Sequence, residues 1–124
     1  MIGDTEPSQF QGGEPRGGGY PLAPAPRVTF DRRELDRLLN LYGRMVAAGE
    51  WRDYAIDFLR DRAVFSVFRR SSDFPLYRIE KDPRLARKQG VYSVISATGL
   101  IVKRGHELDR VLRSIDKPLR VVAG

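Results

Sequence analysis

The sequence predicts an α+β fold in two layers, an antiparallel sheet of about five strands packed against two amphipathic helices. Apolar residues recur at three- and four-residue spacing most clearly over two segments, near 31–48 and 108–117. Between them, short β-branched and aromatic runs alternate with polar residues and are joined by clusters of turn-forming residues. Short connections force neighbouring strands to run antiparallel, and two amphipathic helices need a sheet face to cover. The order is helix, strands, helix.

The first helix carries its own start signal. Asp31 is placed to cap it, Glu34 follows three residues later to complete a capping box, and Phe30 and Leu35 occupy the two positions of a hydrophobic staple. Leu35, Leu38, Leu39, Tyr42, Met45 and Val46 form the expected core face, with Arg33, Asp36, Arg37, Asn40 and Arg44 mainly on the water side. Gly49 can adopt the left-handed conformation that closes many helices, so the expected end is Ala48.

Trp51 to Leu59 fits either period. As a strand it sets Tyr54, Ile56 and Phe58 on one face; as a helix it aligns Trp51, Ala55, Phe58 and Leu59. The next run, AVFSVFRR, is short, β-branched and aromatic, and a hairpin turning at Arg60 to Arg62 favours the strand. A turn cluster at Ser71 to Pro75 leads to a third strand, Leu76 to Lys81, broken by Asp82-Pro83. Val91 to Ser96 and Leu100 to Lys103 pair through Ala97-Thr98-Gly99 as a second hairpin. Leu108, Val111, Leu112 and Ile115 mark the second helix, ending at Lys117-Pro118, and Leu119 to Val122 is expected as a short edge strand.

Residues 1 to 26 hold six Gly and five Pro with unpatterned apolar residues. Such a stretch cannot offset its ordering entropy by burial, and it is expected to be a disordered tail preceding a single domain over 27–124. The chain has no cysteine, which excludes disulfides and thiolate metal sites and fits a reducing cytoplasm. Neither a leader pattern nor an apolar run near membrane-spanning length is present, so a membrane location is not expected.

Charge is the strongest functional signal. Arg60 to Arg104 contains eleven Lys or Arg against four Asp or Glu, whereas the rest of the chain is nearly neutral. Eighteen of the 22 cations are Arg, whose planar fork suits phosphates and carboxylates. Catalytic chemistry has little material. His106 is the single histidine and reads as a surface or capping residue, the serines lack an identifiable base, and Asp53, Asp57 and Asp61 diverge on the expected hairpin. No P-loop or dinucleotide fingerprint occurs in a strand-to-helix context, and no cofactor is expected.

The run FDRRELDRLLNLYGRMVAAGEWRDYAIDFLRDRAVFSVFRR, followed by PLYRIEKDPRLARKQGVYSVISATGLIVKRG, closely resembles the alphaproteobacterial domain-of-unknown-function family 2794 over nearly all of Val28 to Lys117. The resemblance implies a short bacterial, cytoplasmic protein of uncharacterised activity. It carries over no functional residue.

The expectation is therefore a non-enzymatic binding protein that contacts RNA or DNA phosphates through Arg69, Arg70, Arg84, Arg87, Lys88, Lys103 and Arg104. These residues form one patch if the strand ends cluster, with Arg69, Arg78, Glu80 and Lys103 expected on the sheet face away from the helices. The alternative is an adaptor that recognises an acidic protein partner, using an uncovered sheet edge for strand addition.

Overall fold

A computed structural model of the chain describes residues 26–70 and 74–116. The expected disordered tail, up to residue 25, and the expected edge strand Leu119 to Val122 lie outside the described residues. In chain order the elements are α1 (Arg32–Ala47), β1 (Asp53–Phe58), β2 (Ala63–Phe68), β3 (Tyr77–Lys81), a 3-10 turn (Pro83–Leu85), β4 (Tyr92–Ser96), β5 (Ile101–Gly105) and α2 (Leu108–Leu112). The strands form one antiparallel sheet in the order β1-β2-β3-β4-β5, each paired with its neighbour in sequence. The fold is thus the α+β arrangement the sequence predicts, and Trp51 to Leu59 resolves as a strand.

The capping box forms in full. The Asp31 carboxylate accepts from the Glu34 amide at 2.8 Å, and Glu34 Oε1 accepts from the Asp31 amide at 2.8 Å. A cap of this kind contributes about 1 kcal/mol. At the other end Gly49 has φ +77° and its amide donates to the Val46 carbonyl, closing the helix.

The buried stripe of α1 differs from the expected one. Leu38, Leu41 and Met45 are buried, Leu35 and Tyr42 partly so, whereas Leu39 and Val46 are 38% and 41% exposed. The cause is tertiary. Helix α2 packs against the flank of α1 that carries Leu41, with Arg37 pairing to Asp109 at 3.0 Å and Arg44 to Asp116 at 2.8 Å. Arg37 and Arg44, seven apart on α1, meet Asp109 in α2 and Asp116 just beyond it, so α2 and the turn that follows it run alongside α1 in the same direction. The opposite flank, with Leu39 and Val46, is left to solvent.

Cross-strand register assigns the sheet faces, because directly opposed residues share a face. The row Ile56, Phe65, Ile79, Val94 lies on the helix side and forms the centre of the core. Tyr54, Val67 and Tyr77 flank it on one side; Phe58, Ala63, Lys81 and Tyr92 flank it on the other. Tyr54 stacks on Phe65 with ring centroids 5.2 Å apart and meets Tyr42 of α1 edge-on at 4.8 Å, while Phe58 meets Phe30 edge-on at 6.3 Å. Tyr77 and Tyr92 accordingly belong to the core side of the sheet.

The two edges of the sheet are protected differently. On β1, the Asp53 carboxylate accepts from the Tyr54 amide at 2.8 Å and the Arg27 guanidinium donates to the Phe58 carbonyl at 3.1 Å. On β5, the register shifts opposite Val94 and Ile95, so that Val102 is the extra residue of a bulge, and Lys103 follows it. Bulges and edge lysines both hinder the pairing of a foreign strand.

Candidate functional site

The sheet has two ends, named here for the limits of β3. At the Lys81 end lie the β1–β2 turn, the segment 82–91, the end of β5 and the start of both helices. At the Tyr77 end lie the β2–β3 connection and the β4–β5 turn. Four residue steps of strand separate the two ends, about 13 Å.

This geometry divides the seven predicted cations. Arg84, Arg87, Lys88 and Arg104 gather at the Lys81 end. Arg69 and Arg70 follow β2 at the Tyr77 end, where Arg69 is 3.9 Å from Glu50. Lys103 is paired with Val94 and therefore sits in a helix-side row, next to Arg110 and Val111 in a shallow cleft. The expected single patch is corrected to one group of four. Sequence position could not reveal this, because strands of similar length return the chain alternately to opposite ends.

The expected working face is also revised. Arg78 and Glu80 do lie on the face away from the helices, but Lys103 does not, and Arg69 is beyond the last residue of β2. The open-face rows read Asp57, Val64, Glu80, Ser93, Arg104 and Ala55, Ser66, Arg78, Ile95, Ile101. Val64, Ser66, Ser93 and Ile95 are buried although they face away from the helices. Long polar side chains share these rows with them. Arg104 Nε donates to Ser93 Oγ at 2.8 Å and its terminal nitrogen donates to Gln89 Oε1, while Arg78 and Arg62 lie 3.5 Å and 3.7 Å from the Glu80 carboxylate.

The segment after β3 is built to hold its cations. Asp82 caps the 3-10 turn by accepting from the Arg84 amide at 3.0 Å, and the Arg84 guanidinium grips the same carboxylate with contacts of 3.0 and 2.9 Å. This fork holds the Asp82 carboxyl below its ordinary pKa and raises that of Arg84. A second contact, 3.4 Å to Asp61, ties the turn to the β1–β2 hairpin. At the far end of the segment Gly90, at φ +109°, is pressed against Gly105. A Cβ on Gly90 would lie 2.2 Å from the Gly105 carbonyl carbon.

The result is a segment anchored at both ends, with Arg87 and Lys88 exposed between the anchors. Neither makes an ion pair among the described residues. Residues that sequence reasoning did not select join them at this end. Arg62 lies at the hairpin and Arg60 in its turn, while Arg32 and Arg33 are brought from the opposite side of the sequence by the first turn of α1. Arg60 and Arg62 were visible within the basic segment; Arg32 and Arg33 carried no signal, since only the packing of α1 places them here.

Beneath this end lies a buried polar cluster. Glu34 is buried and accepts from Lys81 Nζ at 2.8 Å and from the Tyr92 hydroxyl, in addition to the Asp31 amide. Lys81 Nζ also donates to the Thr29 carbonyl at 2.9 Å. Burial, and then the bond to Glu34, raise the pKa of Tyr92 well above its ordinary value. Beside the cluster, a cleft of about 310 Å³ is lined by Arg33, Arg37, Tyr92 and His106 together with Asp31, Glu34, Glu107 and Asp109. Its charges alternate in sign, and most are already paired: Arg37 with Asp109, Glu34 with Lys81, Glu107 with Arg110. Among the described residues no group of three or more His, Cys, Asp or Glu is placed to hold a metal ion, and no helix is long and apolar enough to cross a membrane.

The family described as "Protein of unknown function (DUF2794)" matches residues 28–112. No curated protein and no solved structure matches the chain.

Proposed function

We propose that this chain, which belongs to that family, is a small non-enzymatic binding protein of the bacterial cytoplasm that engages nucleic-acid phosphates with the Lys81 end of its sheet. The observation that carries the reading is the convergence of Arg84, Arg87, Lys88 and Arg104 with Arg60 and Arg62 from separate segments of the chain. Clustered cations release counterions together when they meet a polyanion, which makes binding strong at low salt and steeply salt-dependent.

The paired and unpaired cations have different roles in this reading. Arg84 and Arg104 are tied to Asp82, Asp61, Ser93 and Gln89, so they form a fixed frame. Arg87 and Lys88 are the exposed charges offered to a partner.

Reversal of the two unpaired charges, Arg87→Glu with Lys88→Glu, leaves the Arg84–Asp82 frame intact and is the clean test. Electrophoretic mobility shift at ~50 mM salt is expected to show binding by the parent chain and markedly weaker binding by the double variant. If the parent chain shifts neither RNA nor DNA but retains one acidic protein after nuclease treatment, the adaptor reading replaces this one.

A further inference from the structure

Resting on the nucleic-acid reading, we infer that the partner is a duplex, gripped by its sugar-phosphate backbone and without regard to base sequence. The inference comes from where the aromatic side chains are. Of the six aromatic residues on the strands, Tyr54, Phe58, Phe65, Tyr77 and Tyr92 all occupy helix-side rows, and only Phe68 faces the open side. Phe68 is the last residue of β2, at the Tyr77 end and four residues from Val64, about 13 Å along the strand from the row that ends in Arg104.

Proteins that hold single strands combine cations with aromatic platforms on which successive bases stack. Here the open face beside the cations carries no such platform among the described residues; at the Lys81 end Phe58, 37% exposed, packs edge-on against Phe30, and the Tyr92 hydroxyl is held by Glu34, both on the helix side. Two guanidiniums of that end are also held by hydrogen bonds within the protein, Arg84 to Asp82 and Arg104 to Ser93 and Gln89. Fixed in this way, they present N–H donors at set positions and do not swing to cover an unstacked base. A rigid array of donors without stacking groups suits a rigid array of phosphates, which a duplex supplies with its bases already stacked inside. The shared chemistry is a double-stranded phosphodiester backbone, RNA or DNA.

One exposed aromatic could support the opposite conclusion. Phe74 is 87% exposed and lies at the Tyr77 end with Arg69 and Arg70. It provides a direct test, because replacing so exposed a side chain leaves the core untouched.

The experiment is fluorescence anisotropy with the full chain at ~50 mM salt, using an RNA duplex and a DNA duplex of roughly 20 base pairs and each separated strand. Both duplexes, or one of them, are expected to bind at least about tenfold more tightly than the strands, with less than about twofold change on scrambling the base sequence, and Phe74→Ala is expected to leave these values within about twofold. The RNA and DNA arms identify which backbone is preferred. Tighter binding of single strands, or about tenfold weakening by Phe74→Ala, overturns the duplex inference and leaves nucleic-acid binding standing. Absence of binding to every probe overturns both.

Discussion

Lys81 Nζ lies 2.8 Å from Glu34 Oε1, joining the last residue of β3 to the first turn of α1 across 47 residues of sequence. The same carboxylate completes the capping box of α1 and accepts from the Tyr92 hydroxyl. One side chain therefore satisfies the amide of the residue that caps the helix, anchors the helix to two strands and fixes the strand end from which the cationic segment departs.

Removing one partner leaves the other buried charge uncompensated. Lys81→Met is expected to cost about 3 kcal/mol in urea unfolding, and Tyr92→Phe about 1 kcal/mol. Replacing both charges, Glu34→Leu with Lys81→Met, is expected to cost less than Lys81→Met plus the lost cap, since no unpaired charge remains. A double variant as unstable as the sum of its singles would show that the pair is not coupled.

The raised pKa of Tyr92 sets an alkaline limit. In the unfolded chain a tyrosine ionises near pH 10, whereas in the fold the hydroxyl stays protonated to higher pH. Its stabilisation is complete below about pH 10 and is lost as the pH rises from there toward the folded value. Urea midpoints should fall across this alkaline range, and the fall should be shallower in Tyr92→Phe. Identical slopes in the two proteins would remove Tyr92 as the cause.

Two glycines at positive φ should respond differently to alanine. At Gly49 a Cβ meets open space, and the cost is that of the left-handed backbone, about 1–2 kcal/mol. At Gly90 the Cβ would collide with the Gly105 backbone as well, so the cost should exceed that of Gly49→Ala and the segment carrying Arg87 and Lys88 should shift. Thermal unfolding of both variants compares the costs, and amide chemical shifts of residues 84–90 report the displacement.

Leucines two residues apart on α1 should differ as much. Leu41, 1% exposed beneath α2, is expected to lose about 2–5 kcal/mol on truncation to alanine. Leu39, on the uncovered flank, should lose well under about 1 kcal/mol. Equal losses would contradict the flank on which α2 packs.

Charge reversal at the two ends of the sheet separates the cations that sequence grouped together. Arg87→Glu with Lys88→Glu should lower the slope of log binding constant against log salt by about 2. Arg69→Glu with Arg70→Glu should leave that slope nearly unchanged. The reverse outcome would move the binding surface to the Tyr77 end.

Much of the architecture was legible because its signals are local. Asp31 and Glu34 lie within one helical turn, Gly49 ends that helix by its own backbone freedom, and Ala97-Thr98-Gly99 turns Val91 to Ser96 back on the strand that follows. These require only neighbours in sequence. By themselves they determine two helices, five antiparallel strands, and a basic segment within them.

The site depended on distance relations that no local signal encodes. Arg69 and Arg84 belong to the same basic stretch, yet β3 carries the chain from one end of the sheet to the other between them. Arg32 is far from Lys88 in sequence, yet the helix that begins at Arg32 is fastened at the Lys81 end by Glu34. Leu41 outranks Leu39 as a core residue only because α2 chose one flank of α1. The tertiary structure made these choices because each buried side chain must satisfy its polar neighbours and fill space against elements remote in sequence.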